Sequence, residues 1–251
     1  VQALIVFIVV YFSSITVPET KINFLDQLLE YNIFKLLFSI FCILIVINGY
    51  NFIDGVNTLL IGYCTIISSS LYYLSLNDID ISQIIDFYNF IPVLLALLIL
   101  NFFNKLYLGD GGAYFLGLLF ALCLINTYQI NNNISPYFIV CLLWYPAFEN
   151  LFSILRKKKF SRSPLKPDIY HLHQIIFLYL KKTFNVNIVL LNTATGMLIN
   201  FYNLISIGIA THFYNHTKIQ ISIIVFNIII YAFLYKNLLF KRKKTLRLHK
   251  K

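Results

Sequence analysis

The side chains with chemistry to offer fall in three short stretches of this 251-residue chain. The first, NGYNFIDGVN, places Asn48, Asn51, Asp54 and Asn57 at intervals of three, so a helical turn would stack their side chains on neighbouring faces. Gly55 within it allows a close approach or a break. The second, LYLGDGGAYFLG, sets one carboxylate, Asp110, among Gly109, Gly111 and Gly112 just before an apolar run. Glycines there leave room for a phosphate or a metal, and a following helix start adds partial positive charge. Asp110 is a hard anionic ligand of the kind Mg²⁺ takes when it is shared with substrate phosphates. It would serve equally as a helix N-cap. The third, RKKKFSRSPLKPDIYHLHQ, spans Arg156 to Gln174 and holds six of the twenty Lys and Arg and two of the five histidines. His171 and His173 would point to one side of an extended segment and donate to a diphosphate, with Pro164 and Pro167 shaping the approach. No Cys or third His lies nearby to complete a zinc site. As a plain solvated loop this stretch would explain its lysines but not His-Leu-His beside Asp168. As a plain polar turn, the first stretch would need no ligand.

The elements that carry these groups are apolar. The chain is 59% hydrophobic and only 12% charged, whereas soluble domains carry about a quarter charged residues. A soluble core could not hide this much Ile, Leu and Phe. A helix crosses about 30 Å of hydrocarbon in roughly 20 residues. That length divides the chain into roughly eight segments, near 3–17, 33–50, 56–76, 87–104, 112–126, 136–154, 186–211 and 219–237. Few polar residues fall inside them, as lipid requires. The four cysteines sit in apolar runs and suit packing. The expected fold is an all-α polytopic membrane protein forming one domain over 1–251, with a His loop at 155–185 and a basic tail at 236–251.

Short loops rich in Lys and Arg stay cytoplasmic, so the 155–185 loop orients the rest. Connections 51–55 and 105–111 and the tail then share its side, and the tail is strongly basic, as that topology requires. Six of the ten acids (Glu19, Asp26, Glu30, Asp78, Asp80, Asp86) fall in outer connections. The other four, Asp54, Asp110, Glu149 and Asp168, collect at the basic face on different segments. Unpaired charge near membrane depth costs several kcal/mol, so such a collection reads as a site. The net charge of +10 follows from cytoplasmic loops and anionic headgroups, without nucleic acid.

The three motifs, in this order and on one face, resemble the polyprenyl-phosphate N-acetylhexosamine-1-phosphate transferases. Tyr145-Pro146 with Glu149 and Arg156 resembles the helix leading into that family's His loop, where Asp is more usual than Glu149. The resemblance implies a bacterial inner-membrane enzyme with its site facing the cytoplasm. It would pass a HexNAc-1-phosphate, GlcNAc-1-phosphate by default, from a UDP-sugar to undecaprenyl phosphate with release of UMP, at the start of cell-envelope polysaccharide assembly. It implies Mg²⁺, with Mn²⁺ as an alternative, held by Asp110 and Asn51. Asp54, Asp110, His171 and His173 would be the catalytic set. Asn48, Asn51, Asn57, Arg156 and the two histidines would bind substrate, with Asn57 at the uracil and the histidines on the diphosphate.

This chain departs from the family at Asn57, where Asp is usual, and at Gln174, where His is more frequent. Asn keeps a hydrogen-bonding edge and Gln can still donate. The family also carries an adjacent aspartate pair before the segment matching residues 3–17. The chain opens on Val1, so a segment upstream is expected, and residues 1–251 alone are expected to be inactive. The competing readings are a non-catalytic relative acting as a membrane scaffold and a transporter. A transporter would show charges at mid-membrane and an inverted repeat, and the sequence shows neither. The oligomeric state, monomer or homodimer, is left open.

Overall fold

Lipid offers no hydrogen bonds to a backbone, so an apolar chain of this kind must satisfy its own peptide groups, and helices do so locally. The structure, a computed structural model, describes residues 1–159 and 170–248, and every regular element among them is an α-helix. They are α1 (Gln2–Ser13), α2 (Asn23–Leu29), α3 (Asn32–Ile53), α4 (Leu59–Ser75), α5 (Phe87–Phe102), α6 (Gly109–Ile130), α7 (Pro136–Lys159), α8 (Leu172–Thr183), α9 (Ile188–His212) and α10 (Thr217–Leu248). All eight expected segments are helical. Five helices, α3, α6, α7, α9 and α10, are long and apolar enough to cross a membrane, whereas α1, α4 and α5 are apolar but shorter.

Several boundaries differ from the expected ones. The segment read as 3–17 stops being helical at Ser13, where Ser14 turns left-handed at φ 55°. The short fifth segment extends to Gly109–Ile130, which puts Asp110 inside the first turn of α6 instead of before it. The basic tail continues α10 as helix to Leu248. Two short helices, α2 and the amphipathic α8, occupy connections that windows of about twenty residues do not resolve.

α3 sits at the centre, packed on α6 and α7, with α1 against its other side; α4 lies between α5 and α9. The α3 contacts are made at glycines. A Cβ on Gly49 would stand 2.3 Å from the Pro146 carbonyl oxygen of α7, and one on Gly117 of α6 would stand 2.8 Å from Ile47 Cα. Small residues let backbones meet, which is the main source of attraction between helices in lipid. Asn150 of α7 adds a hydrogen bond to the Ile45 carbonyl of α3 at 3.0 Å. Pro146 has no N–H, which frees the Leu142 carbonyl one turn earlier. Tyr63 of α4 donates its hydroxyl to that carbonyl at 2.9 Å, so the break in α7 is satisfied by a neighbour.

Interior polar residues are more numerous than expected. They form a seam along α9: Trp144 Nε1 donates to Asn203 Oδ1 at 3.1 Å, Tyr202 and Ser206 meet Asn227 of α10, and Thr211 meets Ser70 of α4 at 2.6 Å. At the end of the bundle carrying the α4, α6 and α9 C-termini, Tyr128 donates to Glu19 and Ser82 N–H to Thr127. The C-termini of α3, α5 and α7 and the N-termini of α4, α6 and α9 gather at the other end.

Gly49→Ala should lower thermal stability by about 1–3 kcal/mol, because the added methyl must push two backbones apart. Gly208→Ala, at a position with nothing within 4 Å of a new Cβ, should leave it unchanged or slightly raised. Melting of the two detergent-solubilised variants, followed by size-exclusion chromatography, makes the comparison.

Candidate active site

The end of α3 and the start of α6 bring the first two motifs together. Gly109 takes φ +64°, a conformation open to glycine, and α6 begins there. The residue before it, Leu108, makes no side-chain cap, and Asp110 lies inside the first turn. The N-cap alternative for Asp110 is therefore overturned, and its exposed carboxylate instead accepts from Asn51 Nδ2 at 2.9 Å. Asp54 is the C-cap residue of α3. Burial, and then the charge of Asp110, push its carboxyl up to about 7, while the Gly109 backbone amide pulls the other way. No atom lies within 4 Å of where a Cβ on Gly109 or Gly111 would stand, so this edge is open. Two mutually repelling carboxylates, an amide oxygen and an open glycine edge suit a hard divalent cation that takes its remaining ligands from water or phosphate. Among the described residues no group of three or more His, Cys, Asp or Glu converges on one point.

The third motif is anchored from α7. His171 stands at the N-cap of α8 with φ −70° and ψ 148°, and His173 lies in the first turn. The pair is thus half extended and half helical, not one extended segment, yet the rings are parallel to within 10° at 5.7 Å. Gln174 Oε1 accepts from the His171 backbone N–H at 3.3 Å, the return half of a capping box. Glu149, fully buried, accepts from Leu172 N–H at 2.9 Å through Oε1 and lies 3.0 Å from His171 Nδ1 through Oε2. Arg156, two turns further along α7, donates to the Tyr170 carbonyl at 2.7 Å and to the Tyr235 hydroxyl at 3.1 Å, and its guanidinium lies over the Phe152 and Tyr235 rings.

The His loop meets the first motif directly. The His171 ring lies 4.9 Å from that of Phe52. A Cβ on Gly55 would stand 2.4 Å from His173 Nε2, so glycine is required for this approach. His173 is fully buried and neither ring nitrogen has a hydrogen-bond partner. Burial pushes its imidazole down to about 4, with the Glu149 charge opposing and His171 adding to the depression. Asn51, Asp54, Asp110, His171 and His173 thus come to one end of the bundle.

Asn57 belongs to a separate, buried part of that end. Its Nδ2 donates to Asn104 Oδ1 at 2.9 Å, and its backbone N–H donates to Asn192 Oδ1 at 2.8 Å. Thr58 follows at φ 67°, held by Asn101 of α5 on its N–H and by Asn200 of α9 on its carbonyl. Sequence reasoning missed Asn101, Asn104, Asn192 and Asn200; their only signal is an amide at or inside an apolar segment. Asn48 donates to the Leu44 carbonyl of its own helix at 2.8 Å and does not join Asn51 and Asp110. Asp168, with Pro164 and Pro167, lies outside the described residues.

These features define a polytopic α-helical membrane protein with an acidic and histidine-bearing site at one end of its bundle. The chain belongs to glycosyl transferase family 4, whose profile matches residues 1–128 and so includes Asn51, Asp54 and Asp110. It is similar to a decaprenyl-phosphate N-acetylglucosaminephosphotransferase of Mycolicibacterium smegmatis, 30% identical over 51% of this chain and 37% of that protein. It is also similar to undecaprenyl-phosphate alpha-N-acetylglucosaminyl 1-phosphate transferases of Escherichia coli K12, at 25% identity over 55% of this chain and 39% of the relative, and of Yersinia pestis, at 23% over 55% and 40%. The chain therefore spans well under half the length of the curated relatives it matches. No solved structure matches it.

His173 also predicts an acid sensitivity. Its folded-state pKa near 4 lies below the ordinary histidine value of 6.5. The unfolded chain therefore takes up the proton first, and stability falls as pH drops from about 6.5 towards 4. The loss between pH 7 and 5 should be about 2 kcal/mol. His173→Phe should flatten that part of the stability profile, measured by thermal melting across pH.

Proposed function

We propose that this chain carries the catalytic site of a polyprenyl-phosphate HexNAc-1-phosphate transferase, with UDP-GlcNAc as donor, undecaprenyl phosphate as acceptor and UMP as leaving group. One observation carries the reading: Asp110 on Asn51, and His173 on Gly55, join three motifs far apart in sequence at one end of a membrane bundle. The names of the relatives support the acceptor and the sugar. The basic loop and tail support a cytoplasmic-facing site, and the bacterial relatives support a bacterial membrane; on this reading the product starts a cell-envelope polysaccharide.

In this reaction a phosphate oxygen of the lipid attacks the β-phosphorus of the UDP-sugar. The bond from that phosphorus to the oxygen bridging the α-phosphate breaks, and UMP leaves with that oxygen. The β-phosphate and its sugar remain on the lipid as a diphosphate. The demand is for charge stabilisation and in-line placement. Asp110 and Asn51 are the residues that would hold Mg²⁺ or Mn²⁺, with Asp54 adding negative charge beside them. A bound divalent cation would supply neutralisation of the diphosphate and of the leaving phosphate. His171 offers a ring nitrogen to the diphosphate, and His173 can do so once its contact with Gly55 opens. Asn57, whose amide meets Asn104, would face the uracil from the buried side. Arg156 acts on the loop through Tyr170. Binding the nucleotide from water and the lipid from the bilayer suits a site at helix ends.

The test uses the full-length protein in membranes with radiolabelled UDP-GlcNAc, undecaprenyl phosphate and Mg²⁺. Lipid-linked product should form and should disappear with EDTA. Asp110→Asn should reduce it about 100-fold or more at unchanged membrane levels. Normal turnover in that variant removes Asp110 from the site, and a wild type without lipid product refutes the reaction.

A further inference from the structure

Glu149 is the single acid of α7 and is shut off from solvent. Donors meet both of its oxygens: the Leu172 N–H at 2.9 Å and the Tyr145 hydroxyl at 3.5 Å on Oε1, and the His171 ring at 3.0 Å on Oε2. A carboxylate can only accept, so the ring proton of His171 sits on Nδ1. A neutral imidazole carries a single such proton, which makes Nε2 a bare acceptor. His171 can then donate to an anion through Nε2 only as the imidazolium, and Glu149 is the countercharge beside it. No other Asp or Glu is in hydrogen-bond contact with the ring among the described residues. Seven residues, two helical turns, separate Glu149 from Arg156. The pair grips three consecutive residues: Arg156 the Tyr170 carbonyl, Glu149 the His171 ring and the Leu172 N–H.

We infer that Glu149 is the positioning residue of the site: it fixes His171 with hydrogen on Nδ1, leaves Nε2 for the substrate, and balances the charge with which the ring grips a diphosphate. What Nε2 meets rests on the transferase reading above; the tautomer does not. A buried carboxylate kept only for packing would be a poor choice, since a shape-matched apolar side chain is often as stable. A buried carboxylate aimed at a ring nitrogen sets which proton the ring keeps.

Two measurements on the full-length protein in lipid nanodiscs decide this. The first is nitrogen-15 solid-state NMR of labelled histidine, with the His171 signal assigned by its loss in His171→Asn. The neutral form should carry hydrogen on Nδ1 in the wild type, and Glu149→Gln should move the signal towards a mixture of tautomers. A wild-type ring with hydrogen on Nε2 overturns the inference, whether or not any variant folds. The second is steady-state transfer. Glu149→Gln should lower kcat about 10–100-fold, with the KM for the nucleotide sugar within about twofold, and Glu149→Asp should recover to within about tenfold of wild type. An unchanged kcat in Glu149→Gln overturns it as well. Should the wild type form no lipid product, the transferase reading fails by itself, and the NMR still decides the role of Glu149.

Discussion

Helices in lipid gain nothing from hiding apolar surface, because the solvent is as apolar as they are; they associate where their backbones can come close. In this protein that constraint falls on α3. Gly49 admits the Pro146 carbonyl, Ile47 and Tyr50 receive Gly117, and just past the helix end Gly55 admits the ring of His173. Each contact places a functional group as well as a helix. Gly117 lies two turns after Asp110, so seating it on α3 brings the carboxylate level with Asn51. Pro146 lies one turn before Glu149, so seating it on Gly49 puts that carboxylate under His171. Replacing the close contacts with ordinary side chains would separate helices and site together.

Irregular backbone inside a membrane protein must also be satisfied by its surroundings. The turn between α3 and α4 is the clearest case. Its Thr58 holds a positive φ that a β-branched residue rarely takes. Side chains from α5 and α9 hold it there: Asn101 on the N–H, Asn200 on the carbonyl, with the Asn192 amide on the preceding residue. Gly196 of α9 allows this, since a Cβ there would stand 2.1 Å from the Asn57 carbonyl oxygen. The same logic joins Tyr63 to the carbonyl that Pro146 frees. Asn101, Asn192, Asn200 and Tyr63 are thus accounted for by the breaks they repair.

That accounting explains what could be read from the sequence. Span positions follow from apolar composition, which is a local property, and all eight segments are helical. The convergence of the three motifs could be read because charge sidedness is also nearly local: a basic loop and alternating spans put Asp54, Asp110 and the histidines at one end. The helices α2 and α8 escaped because each, at seven and twelve residues, is shorter than a span and lies in a connection between spans. Asn101, Asn192 and Asn200 escaped because their role is defined by a turn far away in the chain. Glu149 was visible as a misplaced charge and as part of a motif, but its partner is set by the start of α8 across the loop. Gln174 shows the same limit: its substitution for a more usual His becomes intelligible only as the far half of a capping box.

The polar groups of the site are badly matched to one another. Burial, with the charge of Asp110 adding to it, holds the Asp54 carboxyl near 7. Beside them His173 is buried with both nitrogens unpaired. An unsatisfied buried polar group costs about 1–3 kcal/mol, and that cost is recovered by whatever ligand satisfies it. A cation relieves the carboxylates, and an anion relieves the histidines. A metal-bound diphosphate does both at once, whereas either component alone leaves one mismatch in place. If the proposed function holds, the two halves of the site should bind their ligands cooperatively: a cation held at Asp110 would raise the affinity for the anion, and the anion would raise the affinity for the cation by the same factor.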